Sequence, residues 1–96
     1  MMHAIQASKL RWRLQDQSVP ALSFERAFYL ATAGGGEFFG KVGAFREGYE
    51  ADAVVMDDSS LDHPQALSVR ARLERLVYLA DERCVREKYV AGTRVL

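Results

Sequence analysis

The run Gly35-Gly36-Glu37-Phe38-Phe39-Gly40-Lys41 carries the most direct chemical suggestion in the chain. It satisfies the first seven positions of G-x-x-x-x-G-K, a loop whose backbone amides cradle phosphate while its lysine reaches the outer phosphates. The eighth position breaks the match, because Val42 has no hydroxyl for magnesium. The run also follows a helical pattern, whereas a phosphate loop follows a strand and opens a helix, and its two Phe residues are bulky for a backbone that must wrap a phosphate. A glycine-punctuated helix junction is therefore the expected structure. ATP and GTP are expected to leave it unaffected.

Two other groupings contain reactive residue types. Asp57, Asp58 and Asp62 beside His63 offer carboxylate and imidazole ligands. They lack the alternating acidic positions, glycine and terminal Glu of a calcium loop, and Pro64 suits a solvated turn, so a surface loop is expected. Nucleophilic catalysis would require Cys84 or a serine activated by His3 or His63, and neither histidine has a local partner at a recognisable spacing. Cys84 is expected to be an inert, partly buried thiol. No residue is assigned a catalytic, cofactor-binding or metal-ligating role.

Composition narrows the classes further. Thirteen basic residues offset thirteen acidic ones, leaving no long-range field to draw the chain to nucleic acid or an anionic membrane. Arg70, Arg72, Arg75, Arg83 and Arg86 alternate with Glu74, Asp81, Glu82 and Glu87, a pattern of paired, solvated faces. The single cysteine precludes an intrachain disulfide and fits a reducing compartment. No apolar stretch approaches the roughly 18 residues of a membrane span, and the N-terminus lacks the apolar region of a signal peptide. The expected address is the cytoplasm.

The elements that would position these residues follow from pattern. Met1–Trp12 has helix-forming composition without Gly or Pro, and a loop over Gln15–Pro20 follows because Pro20 disfavours helix at the residue before it. Ser23 is a plausible N-cap with Glu25 in the first turn. Phe24, Ala27, Phe28 and Ala31 recur at helical spacing, which predicts a helix ending near Thr32 where Gly34-Gly35-Gly36 interrupts. One further turn over Glu37–Phe39 closes at Gly40. Ala53-Val54-Val55-Met56 predicts a buried strand. Val69, Leu73, Leu76, Val77 and Ala80 fall on one helical face, and Glu82 with Arg86 would form an i,i+4 pair if that helix extends so far. Val85, Tyr89-Val90, the turn Ala91-Gly92 and Val95-Leu96 predict a closing β-hairpin. As an isolated chain the class is α+β.

Two stretches taken together resemble a known family. Ala27-Phe28-Tyr29-Leu30-Ala31-Thr32 runs into the glycines and Phe38-Phe39-Gly40, and Val42-Gly43-Ala44-Phe45-Arg46-Glu47-Gly48-Tyr49-Glu50-Ala51-Asp52-Ala53-Val54-Val55-Met56-Asp57 follows. This order is similar to the C-terminal region of amidohydrolases of the deaminase and chlorohydrolase branch. Ala4-Ile5-Gln6-Ala7-Ser8-Lys9-Leu10, Leu73-Glu74-Arg75-Leu76-Val77-Tyr78-Leu79-Ala80-Asp81-Glu82-Arg83 and Tyr89-Val90-Ala91-Gly92 are most similar to the guanine deaminases of that branch. The resemblance covers nearly the whole chain.

That resemblance implies a C-terminal fragment of a (β/α)8-barrel enzyme, with residues 1–41 as terminal barrel helices. Residues 42–96 would be strands of a small composite β-sandwich with one intervening helix, the whole forming one unit without a linker. It implies that Gly43, Gly48 and Ala51-Asp52 serve as turn and strand-leading residues. The family's zinc is held by a His-x-His pair, later histidines and an Asp at the end of the last barrel strand, none of which these 96 residues contain. Asp52, Asp57 and Asp81 are accordingly not zinc ligands. A barrel takes about 250 residues, so hydrolytic deamination of guanine to xanthine and ammonia, with its zinc and purine substrate, would belong to a complete enzyme. The expected partner is the rest of the barrel or another copy of the chain, with Phe24, Phe28, Phe38 and Phe39 facing it. A stand-alone interaction module or oligomerising remnant is the alternative reading, and a small nucleotide-binding protein on Gly35–Lys41 is a third. A neighbouring reading frame encoding the His-x-His strands would favour the fragment.

Overall fold

The computed structural model describes all 96 residues as three α-helices and a three-stranded antiparallel sheet. Helix α1 spans Met2–Leu14, running two residues past the expected end, and Arg11 and Arg13 in its last turn complement the negative end of the helix dipole. The Ser8 hydroxyl donates to the Ile5 carbonyl at 2.7 Å and accepts the Leu22 amide at 2.8 Å. This ties α1 to the segment entering the next helix. Ile5, Phe24 and Ala27, all buried, lie on the two helices that pack together here.

Helix α2 spans Phe24–Tyr29 and begins as the sequence predicts, with the Ser23 hydroxyl accepting the Arg26 amide. Its end differs from the expectation. The chain widens into a π-helical turn over Leu30–Gly34, stays helical through Gly35 and Gly36, and tightens into a 3₁₀ turn over Glu37–Phe39. The glycines therefore do not interrupt the helix. They permit a close backbone crossing: a Cβ on Gly36 would overlap the Val42 carbonyl, and one on Gly43 would overlap the Thr32 carbonyl. Gly40, with φ of 104°, then redirects the chain.

Strand β1, Ala53–Met56, pairs antiparallel with β2, Val85–Val90, which pairs with the short β3, Thr93–Arg94. Ala53 lies opposite Tyr89, and the register shifts between Val55 and Met56, where β2 carries one extra residue. Ala91 and Gly92 both have positive φ, 49° and 78°, as a two-residue hairpin turn requires. Two bonds fasten that turn to the residues leading into β1. The Gly92 amide donates to the Ala51 carbonyl at 2.9 Å, and the Ala91 amide donates to the Asp52 carboxylate at 2.9 Å. The Ala-Asp pair is thus a clamp between strand and hairpin.

The expected burial of β1 does not occur: Val54 is 54% exposed, and Val55 and Met56 are also open to solvent. The physical reason is that the sheet carries no second layer over this strand. Helix α3, Val69–Leu79, is capped by Ser68, a cap the sequence reading missed. Leu73, Leu76, Val77 and Ala80 are half-buried along its expected face, whereas Val69 is exposed. The helix stops at Ala80, and Asp81 caps a separate 3₁₀ turn over Glu82–Cys84. Glu82 and Arg86 are therefore not on one helix, and the anticipated i,i+4 pair does not form. Arg70 joins α3 to α2 by an ion pair with Glu25 and by lying 5.5 Å from the centre of the Phe24 ring.

Candidate functional site

The residues with the strongest chemical suggestion are all engaged in local structure. Gly35–Lys41 is the end of a helical segment, with the Gly40 amide turned back to the Glu37 carbonyl at 3.4 Å. The strand that should lead into a phosphate loop is a π-helical turn instead. In the acidic loop, the Asp57 carboxylate accepts the Ser59 amide at 2.9 Å, which lowers its pKa. Asp58 takes two bonds from Arg72, at 2.7 and 2.8 Å, and these hold its carboxyl below the usual range. Arg75 donates to the Leu61 and Asp62 carbonyls, and the His63 Nδ1 is engaged by the backbone of Gln65. Arginines of α3 thus pin the loop, and its side chains point to different partners.

Cys84 is buried, with its sulfur 3.9 Å from the Ser60 hydroxyl. The alternating charges form ion pairs: Arg70 with Glu25 and Glu74, Arg72 with Asp58, Arg83 with Asp81, and Arg94 with Glu87. Hydrogen bonds from Arg70 and Arg83 hold the Glu25 and Asp81 carboxyls below their ordinary range. For a zinc ion this donor set does not fit, because no three His, Cys, Asp or Glu side chains converge.

The feature that does assemble is a groove of about 1000 Å³ between the helical segment of α2 and the sheet. Its apolar lining includes Phe28, Phe39, Phe45, Val54 and Val90, and Glu25, Asp52 and Lys88 supply its charge. Phe39 is 77% exposed and Phe45 87%. Phe38, 88% exposed, stands against Phe39 in an edge-to-face contact with ring centres 5.1 Å apart. Phe28 is half-buried at the groove wall.

One aromatic departs from the expected set. Phe24 is only 7% exposed because it is covered within the chain by Arg70 and by Phe28, whose ring centre is 6.1 Å away. It does not await a partner. Phe45 was missed, although an aromatic between Gly43 and Gly48 in an otherwise polar loop was a signal to ask what it meets.

The whole surface reports the same shortage of cover. The accessible area is 7487 Å² for 10.8 kDa, about 2,000 Å² more than the roughly 5,500 Å² of a folded monomer of this mass. The radius of gyration, 15.6 Å, exceeds the roughly 12.5 Å of a compact domain of this length. No helix is long and apolar enough to cross a membrane. The arrangement is suited to being covered by polypeptide.

Comparison with known proteins agrees with that geometry. Residues 1–95 match the amidohydrolase family. A solved guanine deaminase structure from C. acetobutylicum, described with guanine bound in its active site, superimposes with a TM-score of 0.91 at 45% identity, over 99% of this chain and 22% of that one. The guanine deaminase of Escherichia coli K12 is 37% identical over 82 residues, which is 77% of this chain and 19% of the relative. The 5-methylthioadenosine/S-adenosylhomocysteine deaminase 1 of Archaeoglobus fulgidus is 32% identical over 97 residues, covering 100% of this chain and 22% of that protein. The chain spans about a fifth of the length of the relatives it matches.

Proposed function

The chain belongs to the amidohydrolase family, and from that premise we propose that it is the C-terminal structural segment of a zinc-dependent, guanine-deaminase-like hydrolase. In such an enzyme guanine and water give xanthine and ammonia, with zinc supplying activated water. The zinc ligands and the groups that read the purine belong to polypeptide outside these 96 residues, since the donors present here fit no metal site. Residues 1–41 would lie against a barrel as its terminal helices, and residues 42–96 would contribute strands to a small sandwich. The enzyme's address would be the cytoplasm.

The observation that carries this reading is the uncovered apolar groove together with the excess of about 2,000 Å² of surface. A specific, stable interface of standard size buries about 800 Å² per partner. The excess surface of the chain is larger than that.

The test is a chimera in which this chain replaces the segment it matches in the C. acetobutylicum enzyme, beside a truncated enzyme lacking that segment. Ammonia release from guanine and a melting temperature above that of the truncated enzyme are expected. A soluble chimera that melts like the truncated enzyme and releases no ammonia would remove the reading. The isolated chain, after dialysis, is expected to hold no stoichiometric zinc and to release no ammonia from guanine; tight one-to-one zinc with turnover would contradict the assignment of chemistry elsewhere.

A further inference from the structure

We propose that the widened turn over Leu30–Gly34 is a register switch, held open by contacts from outside the turn, that aims the Phe38–Phe39 pair towards the groove or away from it. The switch stands apart from the enzyme assignment. Local sequence argues against a π-helical turn here, because Leu30, Ala31 and Ala33 are strong α-helix formers and π turns are rare single turns set within α-helices. Tertiary contacts must therefore favour the wider winding.

Two such contacts are present. One is the backbone crossing, in which the Val42 carbonyl takes the place of a Cβ on Gly36 and the Thr32 carbonyl that of a Cβ on Gly43. The other is a strap: the Tyr29 hydroxyl donates to the Glu37 carboxylate at 3.2 Å, and the ring lies across Gly34, where a Cβ would stand 2.8 Å from Tyr29 Cε1. It spans the turn from end to end. Within the turn, the Thr32 hydroxyl donates at 2.8 Å to the Phe28 carbonyl, the acceptor that the Thr32 amide would use in an α-helix. Each residue of an α-helix turns the chain by about 100°, so rewinding that slips the register by one residue swings Glu37–Phe39 through about that angle. Phe39 lines the groove and packs against Phe38, so the two rings move together. A surface that engages Phe39 in its strapped position favours that winding.

Nuclear magnetic resonance of the isolated chain tests the switch. Cα and carbonyl chemical shifts read the winding, and an Overhauser contact between the Ala33 and Gly43 α-protons reads the crossing, since a Cβ on Gly43 would lie 3.3 Å from Ala33 Cα. Gly36→Ala should abolish that contact, give α-helical shifts from Phe24 to Phe39 and move the Phe39 ring signals. Tyr29→Phe and Glu37→Ala should speed amide exchange at least tenfold at Gly35, whose amide donates to the Thr32 carbonyl, and leave α1 unchanged. Glu37→Gln keeps an acceptor and should restore the wild-type rate. An intact Ala33–Gly43 contact in a folded Gly36→Ala would overturn the proposal. If that variant does not fold, the strap variants decide: unchanged exchange in both, or faster exchange with the Phe39 ring signals still those of the wild type, would overturn it equally.

Discussion

The two parts of the molecule on either side of Val42 are held by different forces. Four of the five buried residues, Ile5, Phe24, Ala27 and Gly36, belong to the helical part, and the sheet-bearing part contributes only Cys84. Yet the sheet has a definite register, a two-residue turn and the Ala51-Asp52 clamp. A hydrogen bond adds only about 1 kcal/mol net, whereas burying one large apolar side chain is worth about 1.5–3 kcal/mol. The comparison teaches that backbone pairing can define a topology whose stabilising burial is supplied from elsewhere.

The sharpest way to break this contrast is to empty the helical core. Ile5 is 1% exposed, so Ile5→Ala should cost about 2–5 kcal/mol and abolish the cooperative melt of the helical part. Thermal denaturation followed at 222 nm measures it. Next, Gly43→Ala tests the backbone crossing that joins the two parts. It combines a φ of 86° with a Cβ against the Thr32 carbonyl, and should destabilise by about 1–3 kcal/mol. Chemical denaturation would register it, and an unchanged midpoint would show that the crossing is loose.

Asp52→Ala removes the acceptor for the Ala91 amide, and a loss of about 1 kcal/mol is expected. Amide exchange should accelerate at the hairpin turn and leave α1 unchanged. Acidification probes the ion pairs, two made by α3 with its surroundings and one within the 3₁₀ turn that follows it. Arg70, Arg72 and Arg83 lower the carboxyl pKa values of Glu25, Asp58 and Asp81. A carboxyl depressed on folding adds stability that is complete above its unfolded value and is lost as pH falls through the folded one. The melting temperature should therefore be level from pH 7 to about 5 and fall below about pH 4. Arg72→Gln should flatten part of that fall. The smallest effect belongs to the open sheet: Val54→Ala should change the isolated chain by less than about 0.5 kcal/mol. The same substitution in the chimera should cost more if a larger fold covers β1.

Much of this architecture was legible locally. Ser23 announced the start of α2, Ala91-Gly92 announced the hairpin turn, and β-branched Val54-Val55 announced a strand. These signals act within a few residues of chain, through capping, allowed φ values and side-chain shape. The ordered glycines and Ala51-Asp52, within the quoted runs, also carried the family resemblance. The run Gly34-Gly35-Gly36 misled because a local reading treats glycine as an interruption, while its structural reason lies across the fold at Val42. Cap competition at Asp81 likewise ended α3 before Glu82 and Arg86 could share a helix.

The sequence by itself determined the element types, the hairpin and the membership of a larger family, because those follow from short-range stereochemistry and residue order. The tertiary structure alone decided that Arg70 covers Phe24, that Arg72 occupies Asp58, and that Phe39, Phe45 and Val54 share one open groove. Burial is a property of surfaces brought together from distant parts of a chain, and no local pattern states which surfaces will meet.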